Sequence, residues 1–477
     1  MDLNKRILLV NPPSDSPTPV LPLGLAYLAA YLEKSGFEVK VIDAWADRLT
    51  FEEIGRLSSE SNPSIVGVTM MSPTYIPGMR TVDAIRKTTV SPIVVGGPHP
   101  SAVPEQCLID NQNIDFVVMG EGESAFTRLA KAILFDTEGL NGIQGIAFRS
   151  DDGLVKNNGL SPQIRDLDSL PLPARHLFPN SKYRTHPPFG KKNPYMTMIS
   201  SRGCAYKCTY CTKSVFGNRY RSSSPETVIK EIKQIIDNYG IREIHFYDDD
   251  FTMNMKRTAQ ICDLLIKENI KISWSCTTRV NLVSEELLSK MKKAGCWLIC
   301  YGVESADPEI LKTILKGYTI EEVKNAFQWT KQARIRTVGY FMLGLPGETI
   351  KTIQKTIDFS LSLNPDFVSW GITALFPGSY LYDEAKSGQL GKTIARYEYK
   401  DTQDSWHASA SPFGNGYSII LEDTFTREEL KLWAKKANRR FYLRFSYLLS
   451  FLFKVRSFSE LLHYIRNGLS VFTFLLR

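Results

Sequence analysis

Twice along this chain, short apolar runs rich in β-branched residues alternate with stretches of helical spacing, and a proline-rich interruption separates the two series. The first series is Ile7-Leu8-Leu9-Val10, Val39-Lys40-Val41-Ile42, Ile65-Val66-Gly67-Val68, Ile93-Val94-Val95 and Phe116-Val117-Val118, with helical stretches such as 23–34 between. Runs apolar on both faces, joined by crossovers long enough to hold a helix, predict a parallel sheet covered on both sides. We therefore expect an α/β domain over residues 1–140. Its strands run into breaker-rich loops: Asn11-Pro12-Pro13, Ser72-Pro73-Thr74, Gly96-Gly97-Pro98-His99 and Gly120-Glu121-Gly122-Glu123. Ligands of open α/β sheets bind beyond the carboxyl ends of the strands, where these loops fall.

Residues 141–193 read as a hairpin, signalled by Asp152-Gly153, and a connector holding Pro171, Pro173, Pro179, Pro187 and Pro188. The second series then begins. Strand-like runs at 196–200, 242–247, 272–276, 297–301, 336–342 and 366–371 alternate with helical stretches. Six such units predict a partial (βα)6 barrel over 194–380, with its functional groups at the carboxyl ends of the strands. Residues 381–477 form a C-terminal region in which a helix opens at Thr426, and Glu429 completes a capping box.

At 477 residues, 43% hydrophobic and 23% charged, the chain is ordinary globular material for two to four domains. Its net charge of +8 lies entirely within residues 427–477, and the remainder sums to zero. That balance argues against a protein built around nucleic acid. Residues 1–6 do not read as a signal peptide, and no run reaches the ~18 apolar residues of a spanning helix. Eight cysteines without a framework spacing suit a reducing cytoplasm.

Cys204, Cys208 and Cys211 sit within eight residues, just after the first expected barrel strand. Structural zinc wants four closed ligands, and no second Cys pair or nearby His supplies a fourth. An iron–sulfur cubane normally uses four cysteines, so three leave one iron open to a small molecule. Three buried cysteines with no metal are the remaining reading.

The spacing CxxxCxxC, with Tyr210 before the third Cys and a (βα)6 pattern around it, resembles the radical S-adenosylmethionine (SAM) superfamily. The resemblance implies a 4Fe-4S cluster whose open iron binds the SAM amino and carboxylate groups, and reductive cleavage to a 5′-deoxyadenosyl radical. It also implies an external electron donor such as flavodoxin or ferredoxin. The segment Phe246-Tyr247-Asp248-Asp249-Asp250-Phe251-Thr252 falls where the family holds the SAM ammonium, which assigns Asp248 and Asp249; a helix N-cap is the alternative. By the same resemblance Arg279 pairs with the SAM carboxylate and Glu304 accepts from the ribose, against a structural Arg279–Glu304 salt bridge. Gly344, within Gly339–Glu348, would let the backbone approach adenine.

The first domain resembles the cobalamin-binding Rossmann-like domain at Pro22–Ala29, Val95–Pro100 and Val118–Glu123. None of the six histidines has Asp two positions before it, so the Asp-x-His-x-x-Gly cobalt ligand is missing. Cobalt without a protein His is expected, although His99 from another loop stays open. The resemblance places Ser72, Pro73, Thr74, Gly96, Gly97, His99, Gly120 and Glu121 against cobalamin. A domain that has lost cobalamin and recognises only substrate is the alternative. Methylthiotransferases, with a second three-cysteine cluster, are excluded because Cys107 is the only cysteine before residue 204. Cys262, Cys276, Cys296 and Cys300 read as buried free thiols.

The implied function is methylation of an unactivated carbon in a small apolar metabolite such as a lipid, isoprenoid or tetrapyrrole. A cyclase or C–C bond former without methyl transfer is the enzymatic rival, because Arg439–Arg444 resembles proteins related to the anaerobic magnesium-protoporphyrin monomethyl ester cyclase. A cobalamin-binding sensor is the non-enzymatic one. The tail, with Lys435, Lys436, Arg439, Arg440, Arg444, Lys454 and Arg456 among Phe451 and Phe453, suits peripheral contact with an anionic membrane, or docks on the barrel.

Overall fold

The computed structural model describes residues 5–16, 18–184, 190–387, 390, 424–447 and 449. Pro187 and Pro188 of the connector, residues 391–423, and the tail residues Phe451, Phe453, Lys454 and Arg456 lie outside them.

The first series forms β1 (Arg6–Asn11), β2 (Glu38–Asp43), β3 (Ile65–Thr69), β4 (Ile93–Gly96) and β5 (Phe116–Val118), all parallel. The order β2-β1-β3-β4-β5 puts the topological switch between β1 and β3. Ile7 to Val10 of β1 are at most 1% exposed, as a strand covered on both faces requires. The expected hairpin does not stay in the connector. Its strands, β6 (Ile146–Arg149) and β7 (Val155–Asn157), extend the sheet antiparallel beyond β5, pairing Phe116 with Phe148. This covers an edge whose N–H and C=O groups would otherwise be unpaired.

The second series forms β8 (Tyr195–Met198), a short hairpin of β9 (Ser201–Arg202) with β10 (Arg221–Ser222), then β11 (Glu243–Phe246), β12 (Ser273–Thr278), β13 (Cys296–Glu304), β14 (Arg336–Leu343) and β15 (Phe367–Ile372). Six of these make a parallel sheet in the order β15-β14-β13-β12-β11-β8, an open barrel. Its crossover helices start on strong caps: Ser224 before Pro225, and Thr319 with Glu322 in a capping box.

The helix Arg427–Tyr442 opens at Thr426 with the expected Glu429 box. It docks on the edge strand β15, burying Leu430, Ala434, Ala437 and Phe441. The Tyr442 hydroxyl accepts from the Val368 N–H at 3.0 Å and donates to its carbonyl at 2.7 Å. Arg440 pairs with Asp358 at 2.8 Å, while Arg444 donates to the Leu361 carbonyl and to Asn364. Two of the cations expected at a membrane thus serve the barrel edge. Among the described residues no helix is long and apolar enough to cross a membrane.

Candidate active site

One cavity of about 700 Å³ is lined from two sides by the carboxyl ends of strands. The first sheet contributes Asn11 from β1, Thr69 and Met71 at and after β3, Gly96-Gly97-Pro98 at β4, and Gly120 to Glu123 after β5. The barrel contributes Tyr247, Asp249 and Asp250 after β11, Thr277, Thr278 and Arg279 at β12, Gly302 and Glu304 from β13, and Tyr340 from β14. Cys204, Cys208, Tyr210 and Cys211 line the same space.

Buried charge holds the two walls together. Arg202 of β9 reaches Glu123 at 2.7 Å and Glu121 at 3.2 Å, and Arg221 of β10 reaches Glu121 at 2.5 Å. The Arg202 guanidinium also lies over the rings of Tyr27 and Phe216. Gly203 follows with φ +83°, and a Cβ there would fall 2.3 Å from the Arg219 carbonyl oxygen. Only glycine allows β9 to turn this tightly into Cys204.

The cysteine loop is pinned at both ends. The Gly203 N–H donates to Asp249 at 3.0 Å, Lys213 Nζ to the Cys204 carbonyl at 3.0 Å, and the Cys211 N–H to the Cys208 carbonyl at 3.2 Å. All eight cysteines are free; Cys204, Cys208 and Cys211 have solvent access, and the other five are buried. Among the described residues no three His, Cys, Asp or Glu side chains are grouped to share a single metal ion, but in a cubane each cysteine binds a different iron, so its three ligands need not converge on one point. Three accessible thiols around one cavity, without a fourth ligand, fit a cluster with one open iron better than closed zinc. Burial and the facing Asp250 push the Cys204 thiol up to about 12, while burial and Cys208 push Cys211 up to about 11. A coordinated metal reverses such shifts by deprotonating the thiol outright.

The residues expected around SAM divide. Asp248 is buried away from the cavity: it accepts the Ser200 N–H at 2.8 Å and the hydroxyls of Ser200 at 2.7 Å and Ser201 at 2.5 Å. It locks the turn between β8 and β9. Asp249 and Asp250 face the cavity, with Asp250 3.4 Å from Cys204 Sγ and raised to about 6 by burial. Glu304, at φ +61°, accepts from Lys316 Nζ at 2.7 Å and from the Tyr210 hydroxyl at 3.1 Å. Its ion-pair partner is Lys316, so the Arg279–Glu304 bridge is not formed. Gly344 is not on the cavity; its N–H donates to Glu348 at 2.6 Å, and a Cβ would meet Leu430 of the C-terminal helix at 2.7 Å.

The cobalamin-side residues also divide. Thr74, Gly96, Gly97, Gly120 and Glu121 line the cavity. Gly97, at φ +101°, would place a Cβ 2.8 Å from the Met70 carbonyl, so the loops after β3 and β4 pack backbone on backbone. Glu121 is consumed by Arg202 and Arg221. Ser72, Pro73 and His99 do not line the cavity. His99 is 1% exposed, with Nδ1 3.0 Å from Ser72 Oγ and its ring 4.2 Å from that of Tyr75; burial lowers it to about 3. Sequence reasoning missed Lys213, Lys316, Tyr247 and Arg202. Arg202 and Lys213, two residues before the first cysteine and two after the third, and Tyr247, inside the Phe246–Thr252 segment, carried a positional signal; Lys316 did not.

Two families match the chain: the radical SAM superfamily over residues 198–360 and the B12 binding domain over residues 14–130. The chain belongs to the cobalamin-binding branch of the radical SAM superfamily, and it is an enzyme, which sets the sensor reading aside. An uncharacterized methyltransferase of Pyrococcus horikoshii is 34% identical over 463 residues, covering 95% of this chain and 96% of that protein. The anaerobic magnesium-protoporphyrin IX monomethyl ester cyclase of Rubrivivax gelatinosus is 28% identical over 90% of this chain and 74% of that one. The radical SAM methyltransferase TsrM of Kitasatospora setae, solved with cobalamin and a 4Fe-4S cluster bound, matches with TM-score 0.69 at 23% identity, over 82% of this chain and 76% of that one. The last likeness speaks to fold. Membership brings the family's cofactors: a 4Fe-4S cluster, SAM and cobalamin.

Proposed function

We propose that this enzyme methylates an unactivated carbon of a small apolar metabolite inside the cavity between its two domains. The observation that carries the reading is that one space receives both the three-thiol loop and the carboxyl-end loops of the B12-binding domain. When bound, the cluster with SAM supplies a hydrogen-abstracting radical, and cobalamin supplies the methyl group. The chain's part is to place and shield these reagents. Cys204, Cys208 and Cys211 hold the cluster; Asp249 and Asp250 face the SAM ammonium; Tyr210, fixed by Lys316 and Glu304, borders the same site. Gly96, Gly97, Thr74 and Gly120 offer a close backbone approach to cobalamin, with no histidine among them. Leu21, Leu23, Leu28, Trp45 and Phe126 give the first domain's wall an apolar character that excludes water and suits an apolar substrate.

Methyl transfer is favoured over cyclisation because the methyltransferase relative is the more similar of the two, at 34% identity against 28% for the Rubrivivax cyclase. The test is anaerobic reconstitution followed by product analysis. Iron at four per chain is expected, lost in Cys204→Ala, Cys208→Ala and Cys211→Ala and kept in Cys296→Ala. Turnover should release 5′-deoxyadenosine and S-adenosylhomocysteine together. 5′-Deoxyadenosine alone would mean a cyclase or bond former, and stoichiometric zinc would overturn the metal assignment.

A further inference from the structure

Arg279 does not stand as a free anchor for a carboxylate. Its guanidinium lies 3.6 Å over the Tyr206 ring and 5.2 Å from that of Tyr318, and the residue is 5% exposed. Tyr206 is itself held, its hydroxyl accepting from Asn281 Nδ2 at 3.3 Å. Nη2 donates to the Lys316 carbonyl, and Nη1 lies 3.3 Å from Cys208 Sγ. A bidentate carboxylate takes two parallel N–H bonds from one edge of a guanidinium. Here the edge formed by the two terminal nitrogens is divided between a carbonyl and a thiol, which leaves only the buried Nε without a partner, one donor where a bidentate pair needs two.

We propose that Arg279 is a positioning residue for the cluster: it donates to the sulfur of Cys208 and raises the reduction potential of the iron–sulfur centre which that sulfur helps to hold. The inference rests on the cluster assignment above. Each electron added to a cluster makes its sulfurs more negative, so a fixed donor and a positive charge stabilise the reduced form more than the oxidised one. Hydrogen bonds to the sulfurs and net charge are the protein's levers on such potentials. Lys316, the neighbouring cation, is paired with Glu304 at 2.7 Å, whereas Arg279 touches the Cys208 sulfur itself. The two flanking rings keep the guanidinium in plane, which a flexible ammonium would not reproduce.

The test is a potentiometric titration of the anaerobic holoenzyme without SAM, followed by EPR of the reduced cluster, with SAM affinity measured in parallel. In Arg279→Gln, at unchanged iron content, the reduced-to-oxidised ratio at a fixed potential should fall about tenfold, or about 59 mV for a one-electron couple. Arg279→Lys, keeping charge without the planar fork, should fall by less. An unmoved potential together with weakened SAM binding would overturn the proposal and return Arg279 to the SAM carboxylate. Should Arg279→Gln fail to hold iron, Tyr206→Leu decides: it frees the guanidinium without removing its charge, and a lowered potential supports the proposal while an unchanged one refutes it. Absence of any cluster signal in the unaltered enzyme would overturn the parent reading as well, so the two failures are distinguishable.

Discussion

Replacing Arg202 by Met should uncouple the two domains. The side chains of Arg202, Glu121, Glu123 and Arg221 are 5%, 1%, 6% and 4% exposed, so the network is desolvated. Without Arg202, Glu121 keeps Arg221, but Glu123 loses the cation it faces. Removing one partner of a buried pair costs about 3–5 kcal/mol, chiefly because the other charge is left uncompensated. The guanidinium's contacts with Tyr27 and Phe216, at 5.1 and 5.2 Å, add roughly 0.5–1 kcal/mol. A loss of about 3.5 kcal/mol, at the lower end of these ranges, is expected. In urea, at an m of about 2 kcal/mol/M, the first transition should move down by about 2 M. The cause is checked by adding Glu123→Gln. Neutralising the stranded carboxylate should recover part of the loss, giving a coupling energy of at least about 1.5 kcal/mol in the double-mutant cycle. A shift below about 0.5 M, or strictly additive effects, would refute a desolvated network as the link between the domains.

Tyr442→Phe strands both the N–H and the C=O of Val368 on an edge strand, and should cost about 1–3 kcal/mol in chemical denaturation. His245 is buried against Ser275 and lowered to about 4, while the unfolded chain protonates near 6.5. Its contribution is therefore present above about pH 6.5 and lost as pH falls toward 4, by about 2 kcal/mol at pH 5; His245→Gln should flatten that part of the stability profile. EPR of the cobalamin-loaded enzyme in its cob(II)alamin form should show no nitrogen superhyperfine splitting, because His99 sits behind the cavity on Ser72 and Tyr75. Splitting that disappears in His99→Ala would show the opposite.

Much of this molecule was legible locally. Period and punctuation located both strand series, because buried parallel strands must be apolar throughout and their crossovers must hold a helix. The Thr426–Glu429 cap was equally readable, since capping is set by residues three positions apart. Cys204, Cys208 and Cys211 announced themselves through spacing alone. Other residues shared a motif and parted company in space. Asp248 and Asp249 are adjacent, yet successive side chains around a strand end point to different places, so one locks a turn and its neighbour meets the cavity. Gly120 and Glu121 separate in the same way, one toward the cavity and the other also into the domain clamp.

The sequence by itself determined two α/β units, a three-thiol loop at the head of the second, and a basic helix at the end, because each is encoded by neighbours within a dozen residues. Tertiary structure alone decided that the two sheets share one cavity, that Lys316 rather than Arg279 pairs with Glu304, and that the basic helix covers the edge of β15. Those pairings join residues 12 to more than 80 positions apart. A charge shows in the sequence, but which opposite charge will share its burial is settled only when the chain closes around both.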